Sequence, residues 1–418
     1  MAHYAVRESP PLRGEIPIGT SKNAVLPIMC GALLTGDDVR IEKPPQLTDV
    51  TTLTSLLRAC GCRTHQEEDA LVLRAQALCN PQDDADVRRM RASVLVLGPL
   101  LARLGEARIP LPGGCAIGQR PIDQHLKGMS ALGAKVAFDH GGVTLTGRLR
   151  GAVIYLDMPS VGATENLMMA ATLAEGVTRI ENAAKEPEIV DLSAFLCSMG
   201  ARISGAGTST VTVEGVPVLH GTSWLPIADR IEAGTMACAC ALTGGELLLR
   251  GARAEHLRSL LFKLSEAGVH IQDAPGGLRV LGRAKQPFEI RTMVYPGFPT
   301  DLQAPMMAVA CRTPGTSVFL ETIFENRFGY VRELGKLGVQ LRQDGSTVRL
   351  NGTPRLHAAQ LFAEDLRGGA ALLLAAMQAE GESTIFGVKH IKRGYDTLET
   401  ALQSAGARLK TVEIPKKM

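Results

Sequence analysis

The sequence predicts an α/β protein of two similar halves, each built from three helix–strand modules around its own cluster of buried helices. Three observations lead there. A turn glycine recurs at Gly36, Gly105, Gly176, Gly245, Gly315 and Gly381, each closing a short apolar segment and each followed by a strand-like run. About 25 residues later comes a second glycine, at Gly61, Gly133, Gly200, Gly268, Gly338 and Gly406, behind a helical leucine pattern and ahead of another short strand. Stretches such as Leu167–Leu173 and Ala370–Met377 are apolar on most sides, which suits helices enclosed by sheets.

Taken in order, the first 20 residues read as two short strands split by Pro10-Pro11, expected to cap the second half. Module one follows from Lys22-Asn23, with the strand Val39-Arg40-Ile41 and a second helix carrying Leu53, Leu56 and Leu57. Arg91 opens module two, whose strand is Arg108–Leu111, and module three carries Val177–Ile180. The midpoint falls near Leu225–Asp229, so module four starts at Arg230 and continues into Leu247–Leu249. Module five opens at Pro299-Thr300-Asp301, where Thr300 or Asp301 would serve as the helix cap, and module six opens at Asp365-Leu366-Arg367. Each glycine behind a helix is expected to take the left-handed conformation that ends it, and the β-branched runs fit half-buried strands. The domains expected are 22–227, and 1–21 together with 228–418, with a ligand in the cleft between them. Charged residues recur at the starts of several modules, so a threefold packing would point several helix N-termini, with their free N–H groups, at one anion.

Composition narrows the function. With 45% hydrophobic and 21% charged residues the chain is ordinary for a globular protein, and only 4% are aromatic, so aliphatic residues and Ala fill the core. A net charge of +3 without a long Lys/Arg run gives no electrostatic support for a nucleic-acid partner. The nine cysteines are odd in number and mostly in apolar surroundings, as in Met236–Cys240; they read as reduced thiols, and no C-x-x-C pair points to a metal. The N-terminus has no apolar core of signal-peptide length and no apolar run is long enough to span a membrane, so a cytoplasmic protein is expected. Neither a cofactor nor an obligate protein partner is implied.

Four sets of residues are more specific. They are Gly19–Asn23; Arg91-Ala92-Ser93 with Leu111-Pro112-Gly113-Gly114-Cys115 through Arg120-Pro121-Ile122-Asp123; Ser160–Thr164 with Glu186–Asp191; and Phe298–Asp301, Glu325–Phe328, Asp365–Arg367 and His390–Tyr395. In this order and spacing the chain resembles the UDP-N-acetylglucosamine enolpyruvyl transferases of peptidoglycan synthesis, from about residue 5 to about residue 412. The Gly-Gly-Cys loop with Arg120-Pro121 separates that group from its sister, the shikimate-pathway synthase. The resemblance implies two domains of three β-α-β-α-β-β repeats each around buried parallel helices, an inside-out α/β barrel. It also implies transfer of the enolpyruvyl group of phosphoenolpyruvate to the 3′-hydroxyl of UDP-N-acetylglucosamine, and fosfomycin as an alkylating inhibitor.

The same resemblance assigns roles. Cys115 matches the proton donor and Asp301 the candidate base. Lys22, Arg120 and Arg393 match phosphate-binding residues, Arg367 another residue near phosphoenolpyruvate, and Asn23 a polar neighbour. Arg91, Arg120, Pro121, Ile122, Asp123, Gln124, Ser160, Val161, Gly162, Asp301 and Ile323 would hold the nucleotide sugar. His125, read as a loop residue, is a further polar candidate. Glu186 and Glu188 match acidic residues of the site, although their own sequence context reads as a solvated face. Chemistry supports the pattern: a small trianion needs several fixed cations, and a Gly-Gly loop near an Arg suits a reactive thiol. The other eight cysteines read as buried and inert.

Departures from the family pattern are Thr20-Ser21 for Gly-Ala, Thr48 and Met158 for Lys, Gly368-Gly369 for Ala-Ser, and Lys392 for Asp. Two positive charges near the nucleotide sugar are thereby lost. The alternatives are transfer to shikimate 3-phosphate, which the Gly-Gly-Cys loop disfavours, and a clamp of repeated modules, which the low net charge disfavours.

Overall fold

The structure, a computed structural model, describes residues 2–81, 91–110, 122–139 and 142–413, without the side chains of Arg91, Ala92 and Asp139. The described residues fall into two compact units, one drawn from 20–227 and the other from 2–19 and 228–413.

Each unit has three inner helices: α1 (Lys22–Gly31), α2 (Leu97–Leu104) and α3 (Val161–Ala171) in one, α4 (Arg230–Thr243), α5 (Thr300–Ala310) and α6 (Leu366–Ala376) in the other. Their sequences are rich in Ala, Leu, Met and Cys on every face, and every residue of α4 is buried. Helices α4, α5 and α6 pack against one another, while α3 packs on both α1 and α2. Two separate cores result, one per unit.

Around each inner cluster stand small sheets of one recurring pattern. The strand preceding an inner helix pairs in parallel with the strand following it, and a hairpin is added antiparallel. Strands Val153–Tyr155 and Val177–Glu181 flank α3 in this way, as do Glu289–Arg291 and Thr316–Leu320 for α5, and Gln360–Phe362 and Glu382–Phe386 for α6. Strands α1 and α4 would call for are exchanged: Thr222–Trp224, which leads into α4, pairs with Asp38–Glu42 after α1, and Arg13–Pro17, which leads into α1, pairs with Glu246–Arg250 after α4. The start of the chain also completes module six, because Ala2–Arg7 lies between Glu382–Phe386 and Leu409–Glu413. The two expected strands around Pro10-Pro11 are therefore integral to the second unit. Among the described residues, the sheet of module two has three strands where the other five modules have four.

All six second glycines have positive φ, from 83° at Gly61 to 102° at Gly200 and Gly406, so each ends its outer helix in the region where a Cβ is strained. The first set is less uniform. Gly105, Gly176, Gly315 and Gly381 are left-handed, but in module four Gly244, not Gly245, carries the positive φ, and Gly36 does not. Gly245 is required for another reason: a Cβ there would lie 1.8 Å from the Leu12 carbonyl oxygen, where the N-terminal segment crosses.

Candidate active site

In the 20–227 unit, Ser21 caps α1 by accepting from the Ala24 N–H at 3.4 Å, so one departure from the family pattern is a helix cap. The next residue, Lys22, donates Nζ to Asp49 Oδ2 at 3.2 Å, and both side chains are largely buried, at 12% and 14% exposure. Asn23 follows, half-buried. Arg91 begins the 3₁₀ turn that runs into α2. Cys115, Arg120 and Pro121 lie outside the described residues.

Ile122 precedes the helix Asp123–Ala131, which carries Asp123 and Gln124 in its first turn. The Gln124 side chain grips the segment leading into α3: its Oε1 accepts from the Asp157 N–H at 3.1 Å and its Nε2 donates to Asp157 Oδ2 at 3.4 Å. Ser160 caps α3 by accepting from the Ala163 N–H at 3.3 Å, ahead of Val161 and Gly162. Two sequence stretches expected to hold one ligand are thus hydrogen-bonded together. His125 is buried on the same short helix, not on a loop, with Nδ1 3.0 Å from Asn166 Nδ2. The solvated face expected at Glu186 and Glu188 is not found: Glu188 is 2% exposed in the first turn of Pro187–Ser198. Nearby Glu165, on α3, has its carboxyl pushed well above the usual range by burial first, then by Glu188 and Glu186.

In the other unit, Asp301 sits in the first turn of α5 and neither it nor Thr300 is the cap, which falls to Pro299. Asp301 instead receives two guanidinium groups, Arg327 Nη2 on Oδ1 at 2.6 Å and Arg367 Nη2 on Oδ2 at 3.0 Å. Arg367 lies over the Tyr395 ring at 5.1 Å, and the Tyr395 hydroxyl is 2.8 Å from Thr235 Oγ1 on α4. All three inner helices of this unit therefore meet through one polar chain. Burial works against the Arg367 cation, but Asp301 and its other partners outweigh it and the net shift is upward. Buried Arg367 Nε and Nη1 and Arg327 Nε have no hydrogen-bond partner among the described residues. Asp365 caps α6 by accepting from the Arg367 and Gly368 N–H groups at 3.0 and 2.9 Å. The departure Gly368-Gly369 is sterically explained, since a Cβ at Gly368 would stand 2.7 Å from Tyr330 Cβ and one at Gly369 2.6 Å from Ile391 Cγ1. Arg393 is exposed in the turn behind Val388–Ile391.

Two residues of this cluster went unassigned in the sequence. Arg327 was visible only as part of Glu325–Phe328. Glu321 is buried and accepts from the Ile323 and Phe324 N–H groups at 2.9 and 3.2 Å and from Thr300 Oγ1 at 3.0 Å, so it shapes the turn that carries Ile323. Nothing in the sequence marked it. The cysteines also need correction: Cys30, Cys60, Cys62, Cys238, Cys240 and Cys311 are buried, but Cys79 and Cys197 are exposed. A cavity of about 620 Å³ bordered by Arg103, Arg148 and Glu175 lies at the C-terminal ends of α2 and α3 and touches none of the expected residues.

Residues 6–402 match the family model described as EPSP synthase (3-phosphoshikimate 1-carboxyvinyltransferase). The chain is 48% identical over 408 residues to UDP-N-acetylglucosamine 1-carboxyvinyltransferase 1 of Caldanaerobacter subterraneus subsp. tengcongensis, covering 97% of this chain and 98% of that protein. It is 49% identical to UDP-N-acetylglucosamine 1-carboxyvinyltransferase of an Anaeromyxobacter species, covering 96% and 97%. Among solved structures, the enolpyruvyl transferase NikO from Streptomyces tendae aligns with a TM-score of 0.88 at 25% identity, covering 99% of both chains. EPSP synthase from Acinetobacter baumannii aligns at 0.76 and 15% identity, covering 99% of this chain and 100% of that one, which speaks for the fold alone.

Proposed function

The chain belongs to the EPSP synthase family of 1-carboxyvinyltransferases, and from that premise we propose that it transfers the enolpyruvyl group of phosphoenolpyruvate to the 3′-hydroxyl of UDP-N-acetylglucosamine, releasing phosphate. The observation that carries the choice of acceptor is the identity of 48–49% to proteins named for that acceptor, over nearly the full length of both chains.

The chemistry is addition followed by elimination. A proton goes to the methylene carbon, the sugar hydroxyl attacks the resulting cationic centre, and the tetrahedral ketal then loses a proton and phosphate. Cys115 is the proposed proton donor, in a Pro-Gly-Gly-Cys segment with Arg120 close in sequence. Lys22, Arg120, Arg367 and Arg393 supply positive charge for phosphoenolpyruvate, with Asn23 beside Lys22. Arg91, Arg120–Gln124, Ser160–Gly162 and Ile323 hold the nucleotide sugar, and Asp301 faces its hydroxyl. The Asp157 link between Gln124 and the α3 cap supports a common ligand for those two stretches. Asp301 already holds two guanidinium groups, so an incoming hydroxyl competes with Arg327 or Arg367 for its oxygens. The reaction takes place in the cytoplasm and commits the sugar to peptidoglycan.

Phosphate release from phosphoenolpyruvate, measured with UDP-N-acetylglucosamine and with shikimate 3-phosphate, tests the reading. Turnover with the nucleotide sugar and none with the shikimate ester is the expected result; the reverse preference overturns it. Fosfomycin should leave one adduct, on Cys115, and Cys115→Ser should lose turnover while keeping its fold.

A further inference from the structure

Asn166 lies on α3 one turn beyond Gly162 and is fully buried. Both polar atoms of its amide are engaged. Oδ1 accepts from the Gly98 N–H at 2.8 Å, and Nδ2 donates to the Val94 carbonyl at 2.9 Å and faces His125 Nδ1 at 3.0 Å. The backbone groups fix which end of the amide is which: turning it over would set NH₂ against an N–H and oxygen against a carbonyl. The atom facing His125 is therefore a donor, and a donor requires a bare nitrogen opposite it. His125 Nδ1 then carries no proton, and in the neutral ring the proton sits on Nε2.

The other edge of the ring is also placed. A Cβ built on Gly162 would lie 3.3 Å from His125 Cε1 and 3.4 Å from Nε2, so the Nε2 edge rests on the first turn of α3. Ser160, Val161 and Gly162 occupy that turn and its cap. We infer that Asn166 is a positioning residue: it holds His125 as the neutral Nε2–H tautomer, so that a hydrogen-bond donor without a full charge borders the turn that takes the nucleotide sugar. A cationic His125 would need a proton on Nδ1, pointed at the amide hydrogens in a buried place, and would lose that hydrogen bond. The assignment of the turn to the nucleotide sugar rests on the function proposed above; the tautomer does not.

The test has two arms. In the protein labelled with ¹⁵N-histidine, two-bond ¹H–¹⁵N correlations of the imidazoles report the tautomer, and the His125 signal among nine histidines is the one lost in His125→Gln. The expected pattern is a bare Nδ1 and a protonated Nε2 at neutral pH, moving to a protonated Nδ1 in Asn166→Asp, where a carboxylate replaces the donor. A protonated Nδ1 in the unaltered protein overturns the inference, whatever the enzyme does. In the kinetic arm, Asn166→Asp and His125→Phe should raise KM for UDP-N-acetylglucosamine about tenfold, the loss of one good hydrogen bond, and more than they lower kcat. His125→Gln, which keeps a donor, should recover part of that loss. An unchanged KM in His125→Phe overturns the positioning role, whereas an unaltered protein inactive with this acceptor refutes the proposed function and leaves the tautomer to be decided by the spectra.

Discussion

Replacing Asp301 with Asn tests the buried charge cluster of the second unit. The substitution keeps size and removes one negative charge from between two guanidinium groups whose side chains are 5% and 3% exposed, while Asp301 itself is 29% exposed. At an effective dielectric of about 20, each carboxylate–guanidinium attraction lost at a charge separation of about 4 Å is worth about 4 kcal/mol. Leaving a buried charge without its partner costs about 3–5 kcal/mol by the behaviour of buried pairs, so the two routes agree. The unit should be destabilised by about 3–4 kcal/mol, a fall in urea midpoint of about 1 M or more. Placement of the chain's single tryptophan helps the assay. Trp224 belongs to the 20–227 unit, so its fluorescence reports that unit, while hydrogen exchange at the amides of α5 and α6 reports the other. The exchange-derived stability of α5 and α6 should fall and the Trp224 transition should hold. Unchanged protection of α5 and α6 would refute the electrostatic reasoning.

Three further outcomes follow from the packing. Glu232 on α4 accepts from the Gly19 N–H and Thr397 Oγ1, at 3.0 and 3.1 Å, yet burial and then Asp229 push its carboxyl up to about 7 from the ordinary 4.5. The folded protein therefore binds the extra proton, and stability falls as pH rises from about 4.5 to about 7, by about 3 kcal/mol in all. Urea midpoints across that range should lose this component of the slope in Glu232→Gln. Gly98→Ala would put a Cβ 2.5 Å from both oxygens of Asn166, backbone and side chain; denaturant melts should show a loss of about 1–3 kcal/mol, and a neutral result would mean α2 and α3 are not so close. A small neutral alkylating agent should modify Cys79 and Cys197 in the native protein and spare Cys30, Cys60, Cys62, Cys238, Cys240 and Cys311, as read by peptide mass; early labelling of Cys238, at the centre of α4, would contradict the packing.

How much of this was legible in the sequence depends on distance along the chain. Glycine spacing and apolar pattern are local signals: they predict that α4 opens at Arg230, where it does begin, and all six second glycines take the predicted left-handed turn. The exception at Gly245 is instructive. Its residue is fixed by the approach of Leu12, more than two hundred positions earlier, and no local rule distinguishes a glycine needed for φ from one needed for space. The same limit explains the cap of α5. Thr300 and Asp301 have the chemistry of caps, but each is bound elsewhere, Thr300 to Glu321 and Asp301 to Arg327 and Arg367.

A repeat fold also explains which polar residues a sequence reader finds and which are missed. Among the described residues five of the six inner helices follow a strand, and charged residues at helix starts stand out against the apolar helix that follows: Lys22, Arg230, Asp301 and Arg367 are legible because the helices they open are largely apolar. Their partners have no such background. Asn166 sits mid-helix among Met, Leu and Ala, where a lone amide reads as a weak helix former, and Glu321 follows directly on a strand like any exposed acid. Both are buried, and burial is what gives them their role: an amide or carboxylate in an apolar core must satisfy every polar atom, so it becomes the fixed point that orients the residue beside it. In this chain several residues that carry the family resemblance open helices, and the residues that hold such openings in place lie deeper in the same modules, Asn166 one turn beyond Gly162 and Glu321 just past the strand after α5.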